Sequence, residues 1–100
     1  MRAKLLISYD IRPETVEEYR RFLLGEFLPA VQELGLAISE IWHTAYGDYP
    51  LRMTGFVAKD EETLWAILHS PEWERLETTL RAYVVGYQRK VIPYRGGFQM

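Results

Sequence analysis

Cysteine is absent from the 100 residues of this chain, so no disulfide can staple it, no thiolate can act as nucleophile and no zinc site can be built on sulfur. A reducing, cytoplasmic setting is the expectation that follows. Long apolar runs are missing as well. The stretch from Met1 to Asp10 has only Leu5-Leu6-Ile7 before a hydroxyl and a carboxylate, too short for a secretory segment or a membrane span. Charge of one sign is concentrated nowhere: twelve Lys and Arg stand against fourteen Asp and Glu, with no basic block to attract nucleic acid or anionic lipid. The two histidines fall into no His-x-x-x-His or Glu-x-x-His spacing, so neither a metal nor a cofactor is expected. Gly-rich phosphate loops, Gly-x-Ser-x-Gly elbows and paired-carboxylate signatures are absent too.

What the chain does contain is one pattern run twice, an alternating apolar stretch, an amphipathic helix and another alternating stretch. Strands are expected near residues 4–11, 36–46, 51–58 and 86–92, and helices near 15–34 and 60–84. One domain of the α+β class follows, βαββαβ, with a four-stranded antiparallel sheet carrying its helices on one face. In the first strand Leu5, Ile7, Tyr9 and Ile11 share one side. Strict alternation in the second puts Ile38, Glu40, Trp42, Thr44 and Tyr46 on one side and Ser39, Ile41, His43 and Ala45 on the other. In the third, Leu51, Met53, Gly55 and Val57 lie opposite Arg52, Thr54, Phe56 and Ala58. The sheet's second face is thus partly apolar, and a homodimer is expected.

Helix punctuation is explicit. Thr15-Val16-Glu17-Glu18 reads as a capping box, with the Thr15 hydroxyl accepting from the Glu18 amide and the carboxylate reaching back. Pro29 cannot donate to the carbonyl of Gly25, which predicts a kink or break between them. Gly35 ends that helix. Asp60 caps a short helix, His69 suits its negative end, and Ser70-Pro71-Glu72 restarts the helical run with a hydroxyl cap and proline at the first position. Gly86 is expected to turn the chain into a last strand from Tyr87 to Ile92, closed by Pro93.

Three stretches in this order resemble the NIPSNAP family of the dimeric α/β-barrel, ferredoxin-like superfamily. They are Gly35-Leu36 with Ile41-Trp42-His43-Thr44-Ala45-Tyr46-Gly47, then Ser70-Pro71-Glu72-Trp73, then Arg89-Lys90-Val91-Ile92-Pro93. The tail from Tyr94 departs from the family pattern in lacking a second proline. The resemblance implies a homodimer whose two sheets pack face to face, with a pocket in each subunit between sheet and helices. Superfamily members bind haem, oxidise or cyclise aromatic compounds, isomerise lactones, or have no known reaction. The haem-degrading ones carry a histidine in the second-helix region; Arg75-Leu76-Glu77-Thr78-Thr79 has none, so haem is not expected.

His43 is the candidate acid or base, and Tyr9 a second proton-transfer group. A strand histidine satisfied by one structural partner is the competing reading. Trp42, Trp73, Trp65 and Tyr83 are candidate ligand contacts, since aromatic side chains line small-molecule pockets, although core packing and a dimer interface use them equally. Arg52 and Arg89 are strand arginines able to meet an anionic group. The leading expectation is binding of a small apolar or aromatic molecule. Cofactor-independent oxygenation or cyclisation of an aromatic substrate, and a structural protein-interaction module, are the alternatives.

Overall fold

The computed structural model describes the backbone of residues 1–46 and 49–94 and the side chains of residues 1–41 and 52–93. Its elements are β1 (Arg2–Ile11), a 3-10 turn (Pro13–Thr15), α1 (Val16–Phe22), a π-helical turn (Leu23–Phe27), α2 (Leu28–Leu34), β2 (Ala37–Tyr46), β3 (Tyr49–Ala58), α3 (Glu61–Leu68), α4 (Pro71–Tyr83) and β4 (Val84–Tyr94). The strands form one antiparallel sheet in the order β2-β3-β1-β4. This is the expected βαββαβ ferredoxin-like arrangement, in which each helical crossover leaves room for a strand of the other half.

Alternation along β1 decides which face the helices cover. Ala3, Leu5, Ile7 and Tyr9 are buried, and their partners across β3 are Ala58, Phe56, Thr54 and Arg52. Against this face pack Phe27 and Val31 from the first helical run and Leu64, Trp73, Leu76 and Leu80 from the second, all fully buried. The opposite face carries Lys4, Leu6, Ser8 and Asp10 with Met53 and Val57, all half-buried in the single chain. Gly55 sits among them because nothing larger fits. A Cβ there would lie 2.8 Å from Ser39 Oγ and 2.9 Å from both Glu40 Oε1 and Lys4 Cε, where Lys4 and Glu40 form an ion pair.

Two bulges alter the expected strand pattern. In β2 the register passes from Ile38↔Phe56 to Glu40↔Gly55, so Ser39 is an extra residue and strict alternation fails there. Ile38 packs against the core while Glu40 reaches Lys4 on the other face, correcting the assignment of both to one side. In β4 the pairing jumps between Asp10↔Val85 and Ser8↔Gln88. Gly86 takes φ +65° at this bulge, and so the strand starts at Val84 rather than after the glycine. Pro93 lies within β4, which its position at the sheet edge permits.

Helix boundaries follow their signals with one exception. Thr15 makes no capping hydrogen bond within α1. Its hydroxyl instead donates to the Tyr83 carbonyl at 2.9 Å and to that of Arg12 at 3.2 Å, because the 3-10 turn brings it beside the end of α4. The Pro29 conflict is resolved without a break. Leu28 N–H bonds back five residues to Leu23, and the widened turn precedes the proline. Gly35 at φ +110° closes α2 with bonds from its own N–H to Gln32 and from Leu36 N–H to Val31, a Schellman ending. Asp60 accepts from Thr63 N–H at 2.7 Å and Ser70 from Trp73 N–H at 3.2 Å.

Candidate ligand-binding cavity

Arg12 and Pro13 end β1 and turn the chain back over the sheet. The Arg12 N–H and the Thr15 hydroxyl both donate to the Tyr83 carbonyl, at 3.1 and 2.9 Å, which fixes the start of α1 above the end of β1. From there Val16, Tyr19 and Leu23 come round at helical spacing, and Arg52, paired in register with Tyr9, joins them from β3. Between these elements lies a cavity of about 160 Å³. Ile11, Val16, Leu23 and Leu24 supply its apolar wall; Tyr19, Arg20 and Arg52 supply its polar one. An apolar cavity of roughly 150 Å³ is large enough to admit benzene, so the space suits a single-ring molecule.

Behind the polar wall stands a pair of phenols. The Tyr9 and Tyr19 hydroxyl oxygens are 2.6 Å apart, and the rings meet edge to face with centroids 5.8 Å apart. Burial, and next the neighbouring Tyr19, push the Tyr9 phenol well above its ordinary value. Burial raises Tyr19 too, partly offset by its hydrogen bond with Tyr9 and by the Arg52 charge. Both therefore stay protonated at neutral pH and act as hydrogen-bond donors rather than bases. The Arg52 guanidinium carbon lies 5.8 Å from the Tyr19 ring centre, a cation–π distance, and its buried Nε has no hydrogen-bond partner among the described residues.

On the far side of Tyr9 the polar chain continues. Tyr87 stacks on Tyr9 with centroids 6.3 Å apart and an interplanar angle of 9°, and its hydroxyl donates to Glu77 Oε2 at 2.8 Å. Arg89 donates to the same carboxylate oxygen at 3.0 Å, and Arg81 lies 5.2 Å from the Tyr87 ring centre. Burial first, then the bond to Glu77, raises the Tyr87 phenol as well. This cluster is internally satisfied. Among the described residues no three His, Asp or Glu side chains gather as a metal site would need, and no helix is long and apolar enough to cross a membrane.

The residues singled out from sequence are scattered by the fold. Arg52 lines the cavity and Tyr9 lies directly behind it. Trp73 does not reach it: the indole is wholly buried on Phe27, ring centroids 5.9 Å apart. Trp65 is on the outside of α3, donating to Glu61 at 3.1 Å. Tyr83 packs on Phe22 near the end of α4, and Arg89 is held by Glu77. None of these four lines this cavity, and Tyr83 instead borders a groove with Phe22, Gly25 and Glu26. His43 and Trp42 belong to β2, where the backbone pairs them with Arg52 and Met53; their side chains lie outside the described residues. His69 accepts its expected role, Nδ1 donating to the Trp65 carbonyl at 2.8 Å. Tyr19 does not stand out in the sequence, where it falls at a helical spacing with Val16 and Leu23 that marks a core position. Its signal was the hydroxyl, since a buried tyrosine must find that group a partner.

Among solved structures, the chain aligns with a conserved protein from Methanosarcina mazei Go1 at TM-score 0.72 and 14% identity, over 95% of this chain and 94% of that one. A NIPSNAP domain protein from Burkholderia xenovorans aligns at TM-score 0.70 and 13% identity over 100% of both chains. The fold is that of solved NIPSNAP proteins. A putative antibiotic biosynthesis monooxygenase from Nitrosomonas europaea shares it at TM-score 0.67 and 13% identity, over 95% of this chain and 89% of that one. No family model and no curated protein matches the sequence. At these identities the likeness is one of fold, and it agrees with the resemblance carried by the Trp42, Ser70-Pro71-Glu72-Trp73 and Arg89-to-Pro93 stretches.

Proposed function

We propose that this chain is a small-molecule-binding protein that takes a small apolar or aromatic compound into the cavity between α1 and the sheet. The observation that carries this reading is the composition of that space. Four aliphatic side chains face it, the Tyr19 phenol with Arg20 and Arg52 supplies its polar side, and its volume of about 160 Å³ is that of one ring rather than of a large cofactor. The description of a structural neighbour as a putative antibiotic biosynthesis monooxygenase supports an organic ligand. Lack of cysteine is in keeping with a cytoplasmic protein. In this reading two copies pair through the open sheet face, as in other dimeric α/β barrels.

Thermal denaturation with and without a panel of single-ring compounds tests the reading. A compound at a hundred times its dissociation constant adds about 2.7 kcal/mol to stability. The Val16→Phe variant, with an aromatic ring built into the cavity, is expected to fold and to lose that stabilisation. Equal stabilisation of wild type and variant would move the binding site elsewhere.

A further inference from the structure

Arg52 is placed unlike the other strand arginine on this face. Arg89 has a carboxylate at 3.0 Å and Arg20, at the cavity's rim, has one at 3.4 Å. Arg52 has no such partner among the described residues. Its contacts there are the Tyr19 ring and the cavity, and its Nε is cut off from solvent with no acceptor among the described residues. A buried donor left unpaired is costly, and an arginine fork fits a planar carboxylate better than any neutral group.

The neighbouring phenols add a second donor. Either hydroxyl could donate in the Tyr9–Tyr19 bond, but Tyr9, 1% exposed and enclosed by Tyr19 and Tyr87, has no second acceptor among the described residues, which favours Tyr9 as its donor. Two hydroxyl protons serve one mutual hydrogen bond, so Tyr19 keeps its own for another acceptor. Arg52 and a neutral O–H thus stand together in an aliphatic-walled space whose other cation, Arg20, is paired with Glu17, and no carboxylate among the described residues lines it. From this we infer that the ligand is an organic anion, a single-ring carboxylate whose oxygens meet Arg52 and Tyr19 while its ring lies against Ile11, Val16 and Leu23. The inference rests on the small-molecule reading of the cavity and specifies the charge of what enters.

The test is a titration of the full chain with benzoate, benzamide and benzamidine, which share a shape and differ in charge, followed by methyl NMR at Ile11, Val16 and Leu23. Benzoate is expected to bind about tenfold more tightly than benzamide, with benzamidine weakest, and to shift those methyls. In Arg52→Gln benzoate should fall to the level of benzamide, while Arg52→Lys keeps part of the preference through its charge. The wild-type series stands even if a variant fails to fold. Benzamide binding as well as benzoate at the same methyls would overturn the anion assignment and leave the cavity reading intact. Shifts of these methyls with none of the three would overturn the assignment together with the reading it rests on.

Discussion

Tyr9 and Tyr19 carry most of the polar chemistry at the residue scale, and their protonation has a measurable consequence. Three phenols, those of Tyr9, Tyr19 and Tyr87, titrate above their ordinary value in the folded chain, chiefly because burial penalises the phenolate. In the unfolded chain they release protons near pH 10. The folded state then holds more protons than the unfolded one, so stability is fully present below about pH 10 and is lost as pH rises above it, at up to about 1.4 kcal/mol per pH unit for each such tyrosine. Urea denaturation should give a flat profile from pH 7 to 9 and a falling one beyond 10. Tyr9→Phe is expected to cost about 1 kcal/mol at pH 7 and to make the alkaline fall shallower; an unchanged slope would mean that Tyr9 titrates normally. Neither phenol was legible as half of a pair. Tyr9 was recognisable on the buried side of β1 and Tyr19 on the buried side of α1, but only the crossing of the two elements brings their oxygens together.

At the scale of elements, punctuation was legible wherever it acts within a few residues. Gly35, Asp60 and Ser70 do what their types dictate, and Pro29 forces a widened turn in place of a break. Thr15 is the instructive exception. Its motif satisfies the capping-box pattern, yet its hydroxyl serves a carbonyl 68 residues away in sequence, at the end of α4. Long-range contact outweighs local preference there, and no window of sequence contains both partners. The two accounts separate by mutation. Thr15→Val should cost about 1 kcal/mol by removing one of the two donors to the Tyr83 carbonyl, the Arg12 N–H being the other, while Glu18→Ala should change stability by no more than about 0.5 kcal/mol. Equal losses in both variants would restore the capping box. The two bulges were hidden for a similar reason: Ser39 and Gly86 are extra residues only relative to the strands beside them.

For the whole molecule, the order of apolar alternation and helical periodicity was enough to specify βαββαβ, because each buried face has one complementary surface to meet. The cavity was not legible, since its wall is assembled from β1, α1, the π-helical turn and β3, and its residues individually read as core or as solvated charge. The open sheet face belongs to this scale too. Leu6, Met53, Val57 and Ile92 stay half-buried there beside Lys4 and Asp10, a surface we expect to be covered by a second copy. Light scattering at tens of micromolar protein should give twice the chain mass of 11.8 kDa, and a monomer mass would contradict the pairing. The central claim, that the space beside Tyr19 and Arg52 is a ligand site, is tested most directly by a crystal structure of the protein grown with a single-ring compound. Density for that compound is expected between Ile11, Val16 and Leu23, in reach of Arg52. Side chains of the chain itself closing that space, with the compound absent or bound elsewhere, would contradict it.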